Sequence, residues 1–297
     1  MIGSLIDGLL TRWSASDRSV SMKNAPSMKI IESGTGSIRA MDSGSTKPCV
    51  VFVPDGPNII EHYEHLSKLL ADEYRVVCFD MPGFGLSLPA YSYAHSLDEG
   101  ARAVMDVLDA LKIRKATLAF SCANGFYAVR AAQIAPERIA SLFLSQTPSL
   151  TAMHAWTKRV LPWPLKIPVL GQLTSWIFEK KAIDSWYRYA LPRNADRMRF
   201  HRPGGAARPK GACFCLAGVV QGLNRESAVS LKLLNTPCAM VWGCVDRSHR
   251  ETDAHSLLDC VEHAEILKFE DCGHFPDVEQ PERYVDFLIK HMDKHLQ

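Results

Sequence analysis

The chain has 297 residues, of which 47% are hydrophobic, and its formal net charge is +2. This length can form one large domain with an insertion or two domains, each with a buried core. Neither the small net charge nor the 22% of charged residues is typical of a nucleic-acid-binding protein. We therefore expect no nucleic acid among its partners.

The nine cysteines show neither the spacing of a disulfide scaffold nor the paired CxxC arrangement of a zinc site. Cys213 and Cys215 form a lone CxC, which is weak evidence for a metal, and we expect none. Free cysteines are typical of a reducing compartment. The sequence therefore predicts a cytoplasmic protein.

The first thirteen residues contain apolar side chains at helical spacing. They are Ile2, Leu5, Ile6, Leu9 and Leu10. The segment lacks the basic start and cleavage site of a signal peptide, and no apolar run reaches transmembrane length. We expect a short helix packed on the protein body, with attachment to a membrane surface as the alternative, and a polar loop over residues 11–24. We do not expect a membrane among the partners.

Strand and helix patterns then alternate along the chain. The predicted strands cover residues 28–32, 37–42, 49–53, 74–79, 116–120, 139–145, 237–242 and 265–269. The predicted helices cover residues 62–70, 98–111, 123–134, 251–259 and 281–296. The first two strands form a hairpin, and the later alternation predicts a mostly parallel sheet with helices on both faces.

The alternation stops between residues 148 and 224, a segment rich in aromatic residues, prolines and arginines. We interpret it as a helical cap inserted into an α/β core that comprises residues 1–147 and 225–297. Between residues 151 and 210, twelve lysines and arginines outnumber three acidic residues. If this charge faces the pocket, it favours an anionic substrate such as a carboxylate, coenzyme A or an acyl carrier protein; otherwise it is a solvated surface.

Two potential nucleophiles, Ser121 and Cys122, lie between the strand at 116–120 and the helix at 123–134. A sharp strand-to-helix turn that carries a nucleophile resembles the nucleophile elbow of the α/β-hydrolase superfamily. The first N–H groups of the helix and its partial positive charge would favour a negative charge at this turn.

The family pattern leaves both nucleophiles open. Small residues lie two positions either side of Ser121, whereas Phe120 and Asn124 flank Cys122 in the same way. In the family, however, a glycine usually follows three positions after the nucleophile, and Gly125 has this spacing from Cys122. A Pro-Glu-Arg run about fourteen positions on also matches Cys122. We predict Cys122 as the nucleophile, with Ser121 as the alternative nucleophile and an inert buried thiol as the other possibility.

Two loops resemble further parts of the superfamily. Residues 80–87 match its Asp-x-Pro-Gly-x-Gly-x-Ser loop, and residues 50–57 take the place of its His-Gly-x-Pro oxyanion loop without the histidine. A backbone N–H must stabilise the oxyanion there. Because Pro57 has no N–H, the resemblance implies Gly56, or alternatively Asp55, as one donor and Ala123 as the second.

The segments after the cap resemble those that carry the acid and base of the superfamily. Asp246 ends a Gly-x-x-Asp pattern and would orient the base, with Asp253 and Asp259 as rivals. His274 follows a glycine near the C-terminus, and a Glu-x-Pro pattern comes after it. The order nucleophile, acid, base is the one known for this fold.

The resemblance implies a Cys-His-Asp hydrolase or acyltransferase that acts on an ester, thioester or lactone through a thioester on Cys122. Thioesterase activity and transfer of the acyl group to a second substrate are both included. We expect a small-molecule acyl substrate and no cofactor. The alternatives are non-covalent C–C cleavage or cyclisation on the same scaffold, and a non-catalytic binding protein.

Overall fold

A computed structural model describes residues 2–14, 27–231 and 234–295 of the chain. Its strands are β1 (Met28–Ser33), β2 (Gly36–Asp42), β3 (Cys49–Val53), β4 (Arg75–Phe79), β5 (Phe84–Gly85), β6 (Leu88–Pro89), β7 (Ala116–Phe120), β8 (Ile139–Ser145), β9 (Cys213–Phe214), β10 (Cys238–Gly243) and β11 (Glu265–Phe269). The main sheet follows the order β1–β2–β4–β3–β7–β8–β10–β11, and β6 pairs with β2.

The sheet is parallel from β4 through β11 and antiparallel at the edge formed by β1, β2 and β6. The predicted hairpin of the first two strands is confirmed, as is the mostly parallel sheet. Parallel neighbours place the carboxyl ends of β3, β7, β10 and β11 at one rim. Loops from these four strands therefore meet there, as ligand sites of open α/β sheets do.

The α-helices are α1 (Ile2–Ser14), α2 (Glu64–Leu70), α3 (Leu97–Ala110), α4 (Ala123–Ile134), α5 (Leu150–Val160), α6 (Leu170–Ile177), α7 (Glu179–Ala190), α8 (Arg197–Ala207), α9 (Leu216–Arg225), α10 (Pro276–Glu279) and α11 (Pro281–His295). Those after β3 pack on the two faces of the sheet or lie between β8 and β10 in the chain, whereas α1 packs on β6, α6 and α9. Successive residues of β3 belong to two different cores: Val51 packs with α3 and α4, and Phe52 packs with α2 and α11. Burial on both faces explains the continuous apolar run of this strand.

Between β8 and β10, the described residues form five α-helices, α5 to α9. The two-residue strand β9 in the same segment pairs with β5 of the core. The segment is thus helical, as expected for an inserted cap. The boundaries of the three units at residues 147 and 224 stay a prediction.

The predicted short helix packed on the protein body is confirmed, since α1 contacts β6, α6 and α9, but its apolar stripe is not the face that packs. Its apolar side chains face outwards: Ile2, Leu5 and Leu9 are 61%, 45% and 49% exposed. The buried side of α1 consists of small and polar residues, including Asp7. The apolar stripe correctly predicted a helix, but the partners of the opposite face are polar side chains, which periodicity does not show.

Two further local predictions need correction. Residues 11–14 belong to α1 and not to a loop, and residues 15–24 of the predicted loop lie outside the described residues. The predicted helix over residues 251–259 is a single 3₁₀ segment, Ala254–Asp259. It begins at Ala254 because the side chain of Asp253 caps it by accepting a hydrogen bond from the His255 N–H. Among the described helices, none is long and apolar enough to span a bilayer.

Candidate active site

Cys122 occupies the tip of the turn between β7 and α4, in a strained backbone conformation with φ 51° and ψ −122°. Positive φ is uncommon outside glycine and costs about 1–3 kcal/mol, so surrounding contacts must hold it. The Cys122 N–H donates to the carbonyl of Ser145 at 2.7 Å, and the Thr147 hydroxyl donates to the carbonyl of Cys122 at 3.1 Å. Both peptide groups of the residue are therefore fixed by the end of β8 and the residues directly after it.

Ser121, the alternative nucleophile, lies behind the turn. Its side chain is fully buried, and its hydroxyl donates to Asp277 Oδ2 at 2.8 Å. Tyr63 donates to the same carboxyl oxygen. The structure thus places Ser121 in a buried polar cluster and Cys122 at the tip.

The bulky neighbours of Cys122 fit the turn without crowding it. Phe120 points into the core and packs edge-to-face on Phe79 at 6.1 Å. The Asn124 side chain donates to the Pro54 carbonyl at 3.1 Å, which ties the start of α4 to the loop after β3. The close approach comes instead at Gly125, where an added Cβ would lie 2.2 Å from Thr147 Oγ1.

His274 and Asp246 lie next to Cys122 and form a hydrogen bond with each other. The two nearest atoms, His274 Nδ1 and Asp246 Oδ2, are 2.6 Å apart. Gln146 donates to the same carboxylate at 2.8 Å, and the N–H and hydroxyl of Ser248 donate to its other oxygen at 2.8 and 2.6 Å. Burial would raise the pKa of Asp246, but His274, His249 and Ser248 lower it to about 2.

The structure brings the three predicted residues together at the sheet rim. One ring nitrogen of His274 lies within 4.8 Å of Cys122 Sγ. The rival acids Asp253 and Asp259 are exposed and lie in or beside the 3₁₀ segment. A thiol, an imidazole and a carboxylate in this arrangement are the groups that base-assisted attack by a thiol would require.

Asp55 takes a position that the sequence analysis did not foresee. It was considered only as a backbone donor, yet its carboxylate Oδ2 lies 3.0 Å from His274 Nε2. His274 is fully buried between the carboxyl groups of Asp55 and Asp246. Burial alone would lower the pKa of His274, but Asp246 and Cys122 outweigh it and raise this pKa well above its usual value.

The expected lowering of the thiol pKa by the helix is outweighed. Burial and the charge of Asp55 raise the pKa of Cys122, and His274 and the Ala123 N–H oppose this shift without reversing it. Burial likewise raises the pKa of Asp55, against the effect of His274. Gly56 follows in the loop, packed so closely that an added Cβ would lie 2.7–2.9 Å from Phe214 and Phe84 ring atoms.

Aromatic side chains close the site from above. His249 stacks on His274 at 5.2 Å and on Trp156 of α5 at 4.8 Å, and Trp186 of α7 contacts His274 edge-on at 5.1 Å. Cys122 is only 6% exposed as a result. The sequence carried no motif for these residues, since they come from the cap and from the loop that follows Asp246.

His249 is a second imidazole in the site. Burial lowers its pKa to about 3, so it is neutral near pH 7, and its Nε2 is a buried atom that lacks a hydrogen-bond partner among the described residues. A ring nitrogen of His249 lies within 4.8 Å of both Cys122 Sγ and a nitrogen of His274. Geometrically this trio could accept a metal ion, but Asp246 and Asp55 already engage both nitrogens of His274.

The basic residues of the predicted cap lie mostly on its surface. Lys158, Lys180, Lys181 and Arg202 are exposed. The excess of positive charge between residues 151 and 210 therefore faces mostly solvent.

Comparisons with known proteins agree with this architecture. A model of the Alpha/beta hydrolase family matches residues 50–287. The chain is 25% identical over 278 residues to the 2-hydroxy-6-oxononadienedioate/2-hydroxy-6-oxononatrienedioate hydrolase of Paraburkholderia phymatum, which covers 88% of this chain and 93% of that protein.

Two further similarities are partial or structural. Over 227 residues the chain is 41% identical to the dihydrolipoyllysine-residue acetyltransferase component of the acetoin cleaving system of Pseudomonas putida; the match covers 76% of this chain and 58% of that protein. Epoxide hydrolase A from Mycobacterium thermoresistibile superimposes with a TM-score of 0.75 at 16% identity, over 91% of this chain and 98% of that one. At this identity the superposition shows the fold alone.

Proposed function

The chain belongs to the alpha/beta hydrolase family, and we propose that it cleaves an ester, thioester or lactone through a thioester formed on Cys122. His274 takes the thiol proton, and Asp246 orients the imidazole and stabilises its charge. The observation that carries this proposal is the strained turn that presents Cys122 beside His274, while Ser121 is engaged behind it by Asp277. A buried inert cysteine requires no such backbone conformation.

The raised pKa of Cys122 implies that the resting nucleophile is a neutral thiol. Attack must therefore be coupled to proton removal, which makes His274 a general base and not merely the partner of a preformed thiolate. Because its own pKa is raised, His274 holds a proton on Nε2 at rest and first passes it to Asp55. As the C–S bond forms, the thiol proton then takes its place on His274. The bond from the acyl carbon to the leaving group then breaks, and the leaving group takes the proton.

Asp55 gives this site a second proton carrier. Its contact with His274 Nε2 at 3.0 Å allows the proton to move from His274 to Asp55 during attack. A neutral Asp55 would not repel the oxyanion that forms nearby, whereas an ionised one would. The N–H groups of Ala123 and Gly56 are the proposed oxyanion donors. Water then hydrolyses the thioester with His274 again as base, and the thiol is restored.

The acyl group could also pass to a second substrate, since thioesters react with amines and thiols as well as with water. The similarity to an acetyltransferase component supports this variant. A groove of about 440 Å³ has Arg193 and Arg247 among its lining residues and also includes Val245 and Asp271, which flank the loops of Asp246 and His274. We assign the anionic part of a carboxylate, coenzyme A or carrier-bound substrate to this groove.

The free state of all nine cysteines supports the proposal of a reducing, cytoplasmic location. No metal or cofactor has a role in the proposed reaction.

A second candidate function is non-covalent C–C cleavage or cyclisation. The contact that favours it is the one between His274 and Asp55, because this pair can move a proton without help from the thiol. In that case Cys122 would shape the site and form no bond to the substrate.

Steady-state kinetics on a panel of acyl-coenzyme A, acyl-carrier, lactone and p-nitrophenyl ester substrates tests the proposal. We expect Cys122→Ala and His274→Gln each to lower kcat/KM at least about a thousandfold, as for removal of other nucleophile–base pairs. Ser121→Ala serves as the matched control and should retain most activity. Activity that survives Cys122→Ala but is lost in His274→Gln would support the non-covalent candidate instead.

A further inference from the structure

A second cluster of potential ligands, separate from the residues of the candidate active site, lies where α1 meets the cap. Asp7 of α1, His95 of the loop before α3, and Cys215 at the start of α9 each offer one ligand atom, and these atoms lie within 4.8 Å of one another. All three residues are buried, with 4%, 1% and 5% exposure. We propose that Asp7, His95 and Cys215 bind a divalent transition-metal ion, of which Zn²⁺ fits the donor set best.

The imidazole of His95 provides the observation that points to a ligand. Its Nε2 is buried and lacks a hydrogen-bond partner among the described residues, although such atoms are nearly always paired in folded proteins. The backbone of His95 is also in the left-handed region, with φ 57°. Strain of this kind is retained where surrounding contacts fix a side chain in place.

The space beside the cluster is small, and both polar and apolar residues line it. A cavity of about 50 Å³ is lined by Asp7, His95, Gln172 and Gln221, which leaves room for an ion and one water. Gly218 keeps this space open, since an added Cβ would lie 2.7 Å from both Asp7 Oδ2 and His95 Nε2. A side chain at this position would therefore fill the proposed site.

The donor set selects the class of ion. Thiolate, imidazole and carboxylate together suit Zn²⁺, whereas Ca²⁺ and Mg²⁺ require oxygen ligands. At metal–ligand distances of about 2.0–2.3 Å, tetrahedral ligand atoms lie about 3.3–3.7 Å apart. From separations of up to 4.8 Å, the ligand atoms would need to approach one another by up to about 1.5 Å, and a water would supply the fourth ligand.

Neighbouring groups complete the surroundings of the ligands. Gln172 donates to Asp7 Oδ2 at 3.2 Å, and the thiol of Cys213 hydrogen-bonds that of Cys215. Such outer contacts orient ligands and tune their basicity. The CxC pair in the sequence thus supplies one ligand and one supporting thiol.

Zinc binds cysteine as the thiolate, so binding must displace the thiol proton of Cys215, and affinity should fall as the pH is lowered. Arg225 lines the adjoining cavity.

The experiment titrates the chelator-treated full chain with Zn²⁺ and with Co²⁺, in the presence of a competing chelator that removes weak surface binding. We expect one equivalent of tightly bound metal, a thiolate-to-cobalt charge-transfer band, and a rise in Tm. His95→Gln and Cys215→Ser should each lose the equivalent and the Tm rise, and Cys215→Ser should lose the band. Circular dichroism establishes that the variants are folded.

Cys122→Ser is the matched control, because Cys122 belongs to the other cluster of three potential ligands. It should retain the metal and the cobalt band. The proposal is overturned if the unmodified chain binds no metal, which would mean that a water fills the cavity, or if Cys122→Ser alone abolishes binding. The cobalt band of the unmodified chain tests the proposal even if the variants fail to fold.

Discussion

Replacement of Asp55 by Asn tests how the reactivity of Cys122 is controlled. Asp55 Oδ2 is 3.0 Å from His274 Nε2, and Cys122 Sγ lies within 4.8 Å of a nitrogen on the same ring. A separation of about 6 Å between the carboxylate and the thiol is compatible with both contacts, and this value is used for the charge–charge energy. At that distance, two like charges in an environment of effective dielectric about 20 repel by about 3 kcal/mol. This repulsion corresponds to about two pKa units.

Asp55→Asn keeps the size of the side chain and removes the negative charge. Asp246 remains on Nδ1 of His274, so the imidazolium keeps one carboxylate. A fall of two units in the pKa of Cys122 raises the thiolate fraction about a hundredfold at pH values below the pKa. The less basic thiolate is intrinsically about tenfold less nucleophilic. We therefore expect alkylation to become about tenfold faster.

The assay follows iodoacetamide alkylation of Cys122 from pH 6 to 10 by peptide mass mapping, which separates it from the exposed Cys244. The rate of the unmodified protein should rise into the alkaline range, and the midpoint should move to lower pH in Asp55→Asn. Asp286→Asn, which removes an exposed carboxylate, is the control and should change neither. An unchanged midpoint in Asp55→Asn would show that Asp55 is neutral in the resting enzyme and would refute this reasoning.

Three other substitutions test the orientation of the base, access to the site and the packing of the elbow. Asp246→Asn should lower kcat up to about ten-thousandfold with little change in KM, because the amide would hold the wrong tautomer of the imidazole; a loss of less than tenfold in steady-state assays contradicts this role. Trp186→Ala should speed alkylation of Cys122 without moving its pH midpoint, because the indole covers His274; an unchanged rate would mean that access lies elsewhere. Gly125→Ala should lower Tm far more than Gly204→Ala, since a Cβ at Gly125 meets Thr147 at 2.2 Å whereas nothing lies within 4 Å at Gly204; equal effects in thermal unfolding would contradict the close approach.

The architecture could be predicted because it depends on local patterns. Runs such as Cys49–Val53 are apolar throughout since both faces are buried, and the carboxyl ends of parallel strands bring Cys122, Asp246 and His274 to one rim. The preference for Cys122 over Ser121 as the nucleophile depended partly on the spacing from Cys122 to Gly125. A glycine is needed at that position because an added Cβ would clash with Thr147.

The failures have a common physical origin in contacts between segments that lie far apart in the chain. Asp55 reaches His274 across 219 positions, and no local pattern encodes that distance. The outward apolar face of α1 was missed because Asp7 finds a polar partner in Gln172 of the cap. Trp186 and His249 enter the site from segments whose paths over the sheet have no signature in the sequence.

The thioester on Cys122 is the central claim, and intact-protein mass spectrometry measures it most directly. The protein is mixed with each member of the acyl substrate panel and quenched in acid within the first turnover. We expect a mass gain equal to the acyl group, located on Cys122, removed by hydroxylamine, and absent from Cys122→Ala. Full turnover of a substrate with no adduct at Cys122, and with activity intact in Cys122→Ala, would contradict the account.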